Sequence, residues 1–362
     1  MFLRAFTFKM EENLLDKSFE CLRQTFPELN LESFKVTKLH VQFLTSFKPV
    51  PYDCCINSCC YFIGPRKDDQ ECSYCHEARF NTQGKPHKRS TYIPLIPRLV
   101  TYFKNSLLVN QMKYRHLFQT NPNSTTDIFN GSNYNTLHKT LVSIGGENQR
   151  HKYFEDPQDI ALGLSTDDFA PFKKWKHTCW PLLLVNYNLR TPRDTVRFLI
   201  QHLICICIIP GPKKPNDFDS FLWLLVEELL ELSSGVQAFN VTTETMFTLW
   251  AFLILLFGDM PAILMVMRMK GHNGVFPCRM CLIKAIRIPG SKGTTHYVPL
   301  DRSCHPEVQQ SPTEIKRYNP TNLPSGKHVV AWMYLFVFNL KLSTLSAVSS
   351  LILLGSMLHQ VF

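Results

Sequence analysis

The sequence has no long apolar stretch near its first residues, no internal repeat and no low-complexity tract. Its start, MFLRAFTFKMEENLLDKS, lacks the apolar segment and the small-residue cleavage site of a secretory signal. We therefore expect the chain to stay out of oxidising compartments, where its 13 cysteines would pair as disulfides. Clustered cysteines in such a chain indicate metal binding rather than a disulfide scaffold.

Acidic residues are scarce relative to basic ones, with 29 Asp and Glu against 39 Lys and Arg. The formal net charge is +10 and the isoelectric point is near 9.0. An excess of this size favours polyanionic partners such as DNA, RNA or an anionic membrane. The chain has 362 residues, 45% of them hydrophobic, which is enough for one large core or two smaller domains.

The order of the apolar runs predicts an α/β fold. Short apolar runs bounded by turn residues predict buried strands near 160–167, 182–187, 203–209 and 249–258. An acidic cap and helical periodicity predict a helix at 217–232, between the third and fourth strands. This is the element order of an RNase H-like mixed sheet with flanking helices, in which the first and fourth strands should be neighbours.

The composition along the chain suggests five segments. We expect an N-terminal region of unclear role (1–50), a small cysteine-rich zinc-binding element (51–90), a helical and loop linker (91–155), an incomplete RNase H-like core with a Cys/His insertion at 271–305 (156–325), and a divergent apolar tail (326–362).

Two of the predicted strands end at an acid. Asp167 follows the first strand and Asp259 follows the fourth. Acids held at the ends of neighbouring strands can share divalent cations, and two such cations activate a water and stabilise the leaving oxygen in phosphoryl transfer. Mg²⁺ or Mn²⁺ would suit these oxygen ligands. The alternative is structural, because Asp is common after strands and at helix N-caps.

The clearest metal-binding pattern is a group of six cysteines between Cys54 and Cys75. The spacing Cys55-x3-Cys59-x12-Cys72-x2-Cys75 is typical of a structural Zn²⁺ site, in which four thiolates surround the ion. Cys54 and Cys60 are alternative ligands, because either could replace its neighbour. Buried free thiols are the structural alternative.

A second ligand group and several basic residues are less specific. Cys278 and Cys281 form a CxxC pair, with His272 and His296 as possible further Zn²⁺ ligands and Cys304 and His305 as alternatives. Short basic runs could hold a DNA backbone, although a solvated charged face is the usual explanation of such runs. The residues concerned are Lys173, Lys174, Lys176, Lys213 and Lys214.

Taken together, these motifs resemble a known family. YDCCINSC…CSYC, ALGLSTDDFAPF, KHTCWPLLLVNYNL, IPGPKKPNDFDSFLWLLVEELLEL and GDMPAILMVMRMKGHNGVFPCRMC are similar to the CACTA (En/Spm-like) transposases of fungal and plant genomes, the fungal type above all. The resemblance covers about residues 50–325. It implies an RNase H-like DDE/D core, with Asp167 as the first family acid and Asp259 as the second.

The resemblance also implies an activity and partners. Such an enzyme uses Mg²⁺ or Mn²⁺ to cut at the terminal repeats of its element and joins the 3′ ends to target DNA. The expected location is the nucleus, and the expected partners are the element's DNA and either a second transposon-encoded protein or further copies of this chain. No membrane partner is expected.

This sequence departs from the family in two ways. Asp168 stands where the family has Gly, and the third family acid is not identifiable, since Glu227, Glu228 and Glu314 all lie in the wrong order or context. After Asn322 the match fades into an acid-free tail, which suggests a truncated copy. We therefore expect a transposase-derived protein with weak or no cleavage. Two alternatives are a non-catalytic zinc-dependent DNA- or protein-binding module and a membrane protein anchored by residues 342–358.

Overall fold

The computed structural model describes residues 2–12, 14–45, 47–120, 126–168, 178–189, 196–199, 201–212, 214–267 and 269, with short pieces at 274–275, 285–287 and 296–297. The helices are α1 (Phe2–Glu11), α2 (Asp16–Thr25), α3 (Phe34–Thr45), α4 (Ile96–Tyr102), α5 (Ser106–Met112), α6 (Tyr114–Leu117), α7 (Ser132–Leu137), α8 (Phe218–Ser234) and α9 (Met260–Val266). The strands are β1 (Val50–Cys54), β2 (Lys88–Tyr92), β3 (Leu141–Ile144), β4 (Glu147–Lys152), β5 (Ile160–Thr166), β6 (Cys179–Asn186), β7 (Ile204–Pro210), β8 (Val236–Asn240), β9 (Thr245–Leu249), β10 (Ala251–Phe257), β11 (Ile286–Arg287) and β12 (His296–Tyr297).

A mixed sheet of six strands forms the centre of the molecule, in the order β1-β2-β7-β6-β5-β10. Strands β5 and β10 run parallel, with Ile160 opposite Ala251 and Ser165 opposite Phe257. The other neighbours in the sheet are antiparallel. The structure thus confirms that the four predicted strands share one sheet and that the first and fourth are neighbours.

Helix α8 covers one face of this sheet. Asp217 caps its N-terminus by accepting a hydrogen bond from the Ser220 amide at 3.3 Å, and Gly235 ends it at a φ of 98° that suits glycine. Phe221 and Leu225 are buried in the main hydrophobic core beneath the strands. The helix predicted at 217–232 is therefore confirmed within two residues at each end.

The segment that we expected to be a linker, 91–155, contributes to the core. Leu99 and Phe103 of this segment pack in the main core. Phe129 and Tyr153 lie in a second cluster with Phe252 of β10. Apolar side chains at helical spacing pack against an available sheet face, which accounts for these contacts.

Two hairpins were missed in the sequence. No strand was predicted within the segment 91–155, but β3 and β4 form a hairpin there, closed by Gly145 and Gly146, whose φ angles are 64° and 97°. A two-residue turn with both φ angles positive fits the twist of a hairpin, and the Gly-Gly pair is its signal. Strands β8 and β9 form the second hairpin, between α8 and β10.

The first three helices pack together around Phe19 and Phe34, whose ring centroids lie 5.6 Å apart. In the described part of the chain, none of the helices has the length and apolar character needed to cross a membrane. Residues 342–358, the alternative anchor, lie outside the described residues.

Candidate functional site: an acidic strand edge beside a four-cysteine cluster

The two predicted catalytic acids leave the sheet from adjacent parallel strands. Asp167 follows Thr166, the last residue of β5, and Asp259 follows the last residue of β10 by two positions. Both side chains belong to exposed residues. Gly258 fits closely between the strand ends, because a Cβ added there would lie 2.8 Å from the carbonyl oxygen of Thr166. The parallel pairing therefore brings both acids to one edge of the sheet.

Each of these acids already makes one backbone hydrogen bond. Asp259 Oδ1 accepts from the Ala262 amide at 2.7 Å and caps α9, whose first turn contains Pro261. Asp167 Oδ1 accepts from the Asp168 amide at 2.7 Å. The capping role that we weighed for Asp259 is thus present, and it is compatible with metal binding because a carboxylate has a second oxygen.

The third acid of a complete site is not found in the described residues. Among them, the four cysteines are the only grouping of three or more potential metal ligands, so no described acid joins Asp167 and Asp259 in such a group. Glu228 of α8 has a structural role instead. Its carboxylate accepts hydrogen bonds from the amides of Leu95 and Ile96, at 2.9 Å each, and from the Tyr92 hydroxyl. It therefore holds the start of α4.

The four cysteines of the predicted zinc site converge. The Sγ atoms of Cys55, Cys59, Cys72 and Cys75 all lie within 4.8 Å of one another, and the first three residues are buried. A tetrahedral ion with Zn–S bonds of about 2.3 Å needs sulfur separations of about 3.8 Å. The set therefore fits a structural Zn²⁺ ion in number, donor type and spacing.

Two tight turns produce this convergence. After Cys55, the Ser58 amide donates to the Cys55 carbonyl at 2.7 Å, and Ser58 has a φ of 60°. After Cys72, the His76 amide donates to the Cys72 carbonyl at 2.8 Å, and His76 has a φ of 58°. Each turn thus places two cysteines on the same side, as short spacers do in zinc knuckles.

The two extra cysteines are not part of the four-sulfur group. Cys54 Sγ donates to the Cys55 carbonyl at 3.4 Å. Cys60 is buried beside the cluster, and its Sγ lies 3.9 Å from that of Cys72. The group of four converging sulfurs thus contains Cys59 rather than Cys60 and Cys55 rather than Cys54.

Burial favours the protonated thiols of Cys55 and Cys59. Burial raises the pKa of Cys55 to about 11 and that of the neighbouring Cys54 thiol to about 12. At Cys75 burial also acts to raise the pKa, but hydrogen bonds, chiefly from the Asn57 side chain and the Glu77 backbone, outweigh it and lower the pKa to about 7. Metal binding requires thiolates, so an ion entering this cluster must displace protons.

The cysteine cluster lies at the same edge of the sheet as the acids. Strands β5 and β7 are both antiparallel to β6, so the carboxyl ends of β5 and β7 point the same way. Lys88 of β2 joins the cluster to that edge, because its Nζ donates to Ser58 Oγ and to the Gly211 carbonyl, each at 2.6 Å. Sequence reasoning missed this role of Lys88, because its partners Ser58 and Gly211 lie 30 and 123 residues away in the chain.

The other predicted site residues are largely outside the described part of the chain. This applies to His272, Cys278, Cys281, Lys173, Lys174, Lys176 and Lys213. His296 lies in β12, partly buried and opposite Arg287 of β11. Lys214 is exposed, just beyond the end of β7. The second zinc site and the DNA contacts therefore stay predictions.

The comparisons with known proteins bear on the acidic edge. No curated protein matches the chain. A family model described as "Transposase family tnp2" matches residues 146–304, which is less than half of the chain. The matched range contains β5 to β10 and both acids but leaves out the four cysteines. The match supports a transposase family for this segment, and it agrees at that level with the resemblance found in the sequence.

Proposed function

We propose that this chain is a transposase-derived DNA-binding protein with an RNase H-like core and an incomplete DDE/D site of the CACTA type. The observation that carries the proposal is the position of Asp167 and Asp259 at the ends of adjacent parallel strands, inside the segment similar to a transposase family. The antiparallel run β5-β6-β7, followed by α8 and the parallel β10, agrees with the order expected of such a core.

Asp167 and Asp259 are the residues that would hold the divalent ions. Bound Mg²⁺ or Mn²⁺ supplies an activated water and stabilises the leaving oxygen in strand cleavage. Two carboxylates bind Mg²⁺ weakly, because this ion gives up its waters reluctantly. The proposed activity is therefore feeble cleavage or none, in a chain that still binds DNA.

DNA binding rests on the basic excess of the chain. The net charge is +10, and Lys214 lies exposed beyond the end of β7, at the edge that carries the acids. Lys173, Lys174, Lys176 and Lys213 are the further proposed contacts. Such contacts release counterions from the phosphate backbone, so affinity should fall steeply with salt. Transposon terminal repeats are the proposed DNA and the nucleus is the proposed location, with more copies of this chain or a second transposon-encoded protein as partners.

The test is a nicking assay on the full chain with Mn²⁺, using a terminal-repeat duplex and a random-sequence duplex of equal length. We expect both duplexes to bind in a salt-sensitive manner and neither to be cut efficiently. Asp167→Ala removes the first acid. Asp259→Asn is the matched variant, because it keeps an oxygen that can cap α9 but loses the charge.

Robust cleavage that either substitution abolishes would contradict the proposed incomplete site. It would mean that a third acid acts in this chain, and Glu314 would be the first to mutate. Absence of DNA binding at low salt would contradict the proposal as a whole.

A second function is favoured by one observation: the cysteine cluster has all four ligands, whereas the acid pair lacks a third carboxylate within the part of the chain that the structure describes. On this hypothesis the chain is a zinc-dependent DNA- or protein-binding module that never cuts. Its signature is DNA binding that a zinc chelator abolishes and that Asp167→Ala and Asp259→Asn leave unchanged.

A further inference from the structure

The zinc cluster is fastened to the start of α8 by main-chain hydrogen bonds. The carbonyl oxygen of Cys59 accepts from the amides of Asn216 and Asp217, at 3.1 and 2.8 Å. The side chain of Asn216 also reaches the cluster, because its Nδ2 donates to Cys59 Sγ at 3.4 Å. One ligand residue therefore binds the helix start through both its carbonyl oxygen and its sulfur.

Side chains around the cluster reinforce this contact. The Tyr61 amide donates to Ser220 Oγ at 2.9 Å, and the Tyr61 ring lies 4.4 Å from that of Phe221, between centroids. Arg66 Nε donates to Asp217 Oδ2 at 2.8 Å, so the cap residue of α8 is held from the cysteine-rich element as well. The first turn of α8 thus depends on residues 59–66 for much of its packing.

Gly211, which precedes α8, also contacts residues next to the cluster. Ser58 Oγ and Lys88 Nζ both donate to the carbonyl oxygen of Gly211, at 2.9 and 2.6 Å. Ser58 lies in the turn that joins Cys55 to Cys59, and this turn has to keep its shape for the two sulfurs to converge. The cluster is therefore linked to Gly211 as well as to the first residues of α8.

We propose that Asn216 is an outer-sphere residue of the zinc centre, and that zinc held by the four cysteines fixes the start of α8 and the Gly211 carbonyl that precedes it in the chain. The proposal rests on the zinc site proposed above. A hydrogen bond from Nδ2 stabilises and orients the Cys59 thiolate, as outer-sphere donors do for metal ligands. This coupling is reciprocal. If bound zinc stabilises the ordered start of α8, the ordered start of α8 raises the affinity for zinc by the same free energy.

Asn57 offers a matched control on the other side of the cluster. Its Nδ2 donates to Cys75 Sγ at 3.5 Å, so it too supplies a hydrogen bond to a ligand sulfur. It differs from Asn216 in position, because it lies in the turn after Cys55 rather than next to the α8 cap. Both Asn residues lie at the surface or are only partly buried, so neither substitution removes core packing.

The experiment uses the full chain as the wild type, Asn216→Ala, Asn216→Asp and Asn57→Ala. Zinc affinity is measured by competition with a chromophoric chelator, and Co²⁺ loading reports thiolate coordination by its absorption spectrum. We expect Asn216→Ala and Asn57→Ala each to weaken zinc binding about tenfold or more. Asn216→Asp places a negative charge beside the thiolate and should weaken it further.

Hydrogen exchange of the peptide 214–222 then separates the two Asn residues. In the wild type, removal of zinc should raise exchange in this peptide. At saturating zinc, Asn57→Ala should keep the protection and Asn216→Ala should lose part of it. Absence of a thiolate–Co²⁺ band would overturn the zinc site itself. A normal band with exchange of 214–222 unaffected by zinc would overturn the coupling and leave the site intact.

Discussion

Asp159 should make the stability of the fold depend on pH. This residue precedes β5 and is 1% exposed. Its Oδ2 accepts a hydrogen bond from the Asp156 amide at 3.2 Å, whereas Oδ1 has no hydrogen-bond partner among the described residues. Burial is the main cause that raises the pKa of Asp159, from 3.8 to about 7, and the nearby charge of Arg115 opposes it only in part.

The sign of the effect follows from this raised pKa. Between about pH 4 and pH 7 the folded chain keeps a proton on Asp159 that the unfolded chain has lost, so the free energy of unfolding falls as pH rises. Each pH unit costs about 1.4 kcal/mol, which over this window amounts to about 4 kcal/mol. Below this window, and above pH 7, the contribution of Asp159 is constant.

Asp159→Asn removes the titration and keeps the shape of the side chain. We expect the difference in unfolding free energy, variant minus wild type, to grow by about 4 kcal/mol in favour of the variant from pH 4 to pH 7.5. Urea unfolding at fixed zinc and salt measures it. Glu155→Gln, which removes an exposed carboxylate nearby, is the control. A difference that stays flat with pH, or that grows at acid pH instead, would refute the reasoning.

Three further predictions concern the cysteine cluster and the packing of the core. Cys60→Ala should retain one zinc per chain by metal analysis, whereas Cys59→Ala should lose it. Of these two residues, Cys59 alone belongs to the four-sulfur group. Gly163→Ala should lower the free energy of unfolding by about 1–3 kcal/mol, because the new Cβ would lie 2.6 Å from a tyrosine ring atom. Arg197→Ala should lower the free energy of unfolding by about 3–5 kcal/mol, because it removes the buried ion-pair partner of the Asp127 carboxylate, which lies 2.9 Å away.

The features that sequence reasoning could predict are those with a local signal. Strands β5 and β10 are short apolar runs that end in an acid, so their type, their length and the place of Asp167 and Asp259 followed from the chain itself. The cap at Asp217 and the spacing from Cys55 to Cys75 are local in the same sense.

The features that were missed depend on contacts between distant parts of the chain. Strand β2 joins the central sheet through a single pair, Tyr92 opposite Cys207, which no local pattern reveals. The choice of Cys59 over Cys60 depends on the positive φ of Ser58, a conformation that Ser adopts rarely. Asn216 could not be recognised as a neighbour of Cys59, because the two residues are brought together only by the folded sheet.

The parallel pairing of β5 with β10 has a consequence for biosynthesis. Ile160 pairs with Ala251, so β5 gains this neighbour only after about ninety further residues have been synthesised. At translation rates of about 5–20 residues per second, that wait lasts on the order of 5–20 s. During this interval one edge of β5, with its apolar sequence IALGLST, is open to pairing with other nascent chains. Slow synthesis between these strands should therefore lower the yield of soluble protein, and fusion of a chaperone-recruiting segment should restore it.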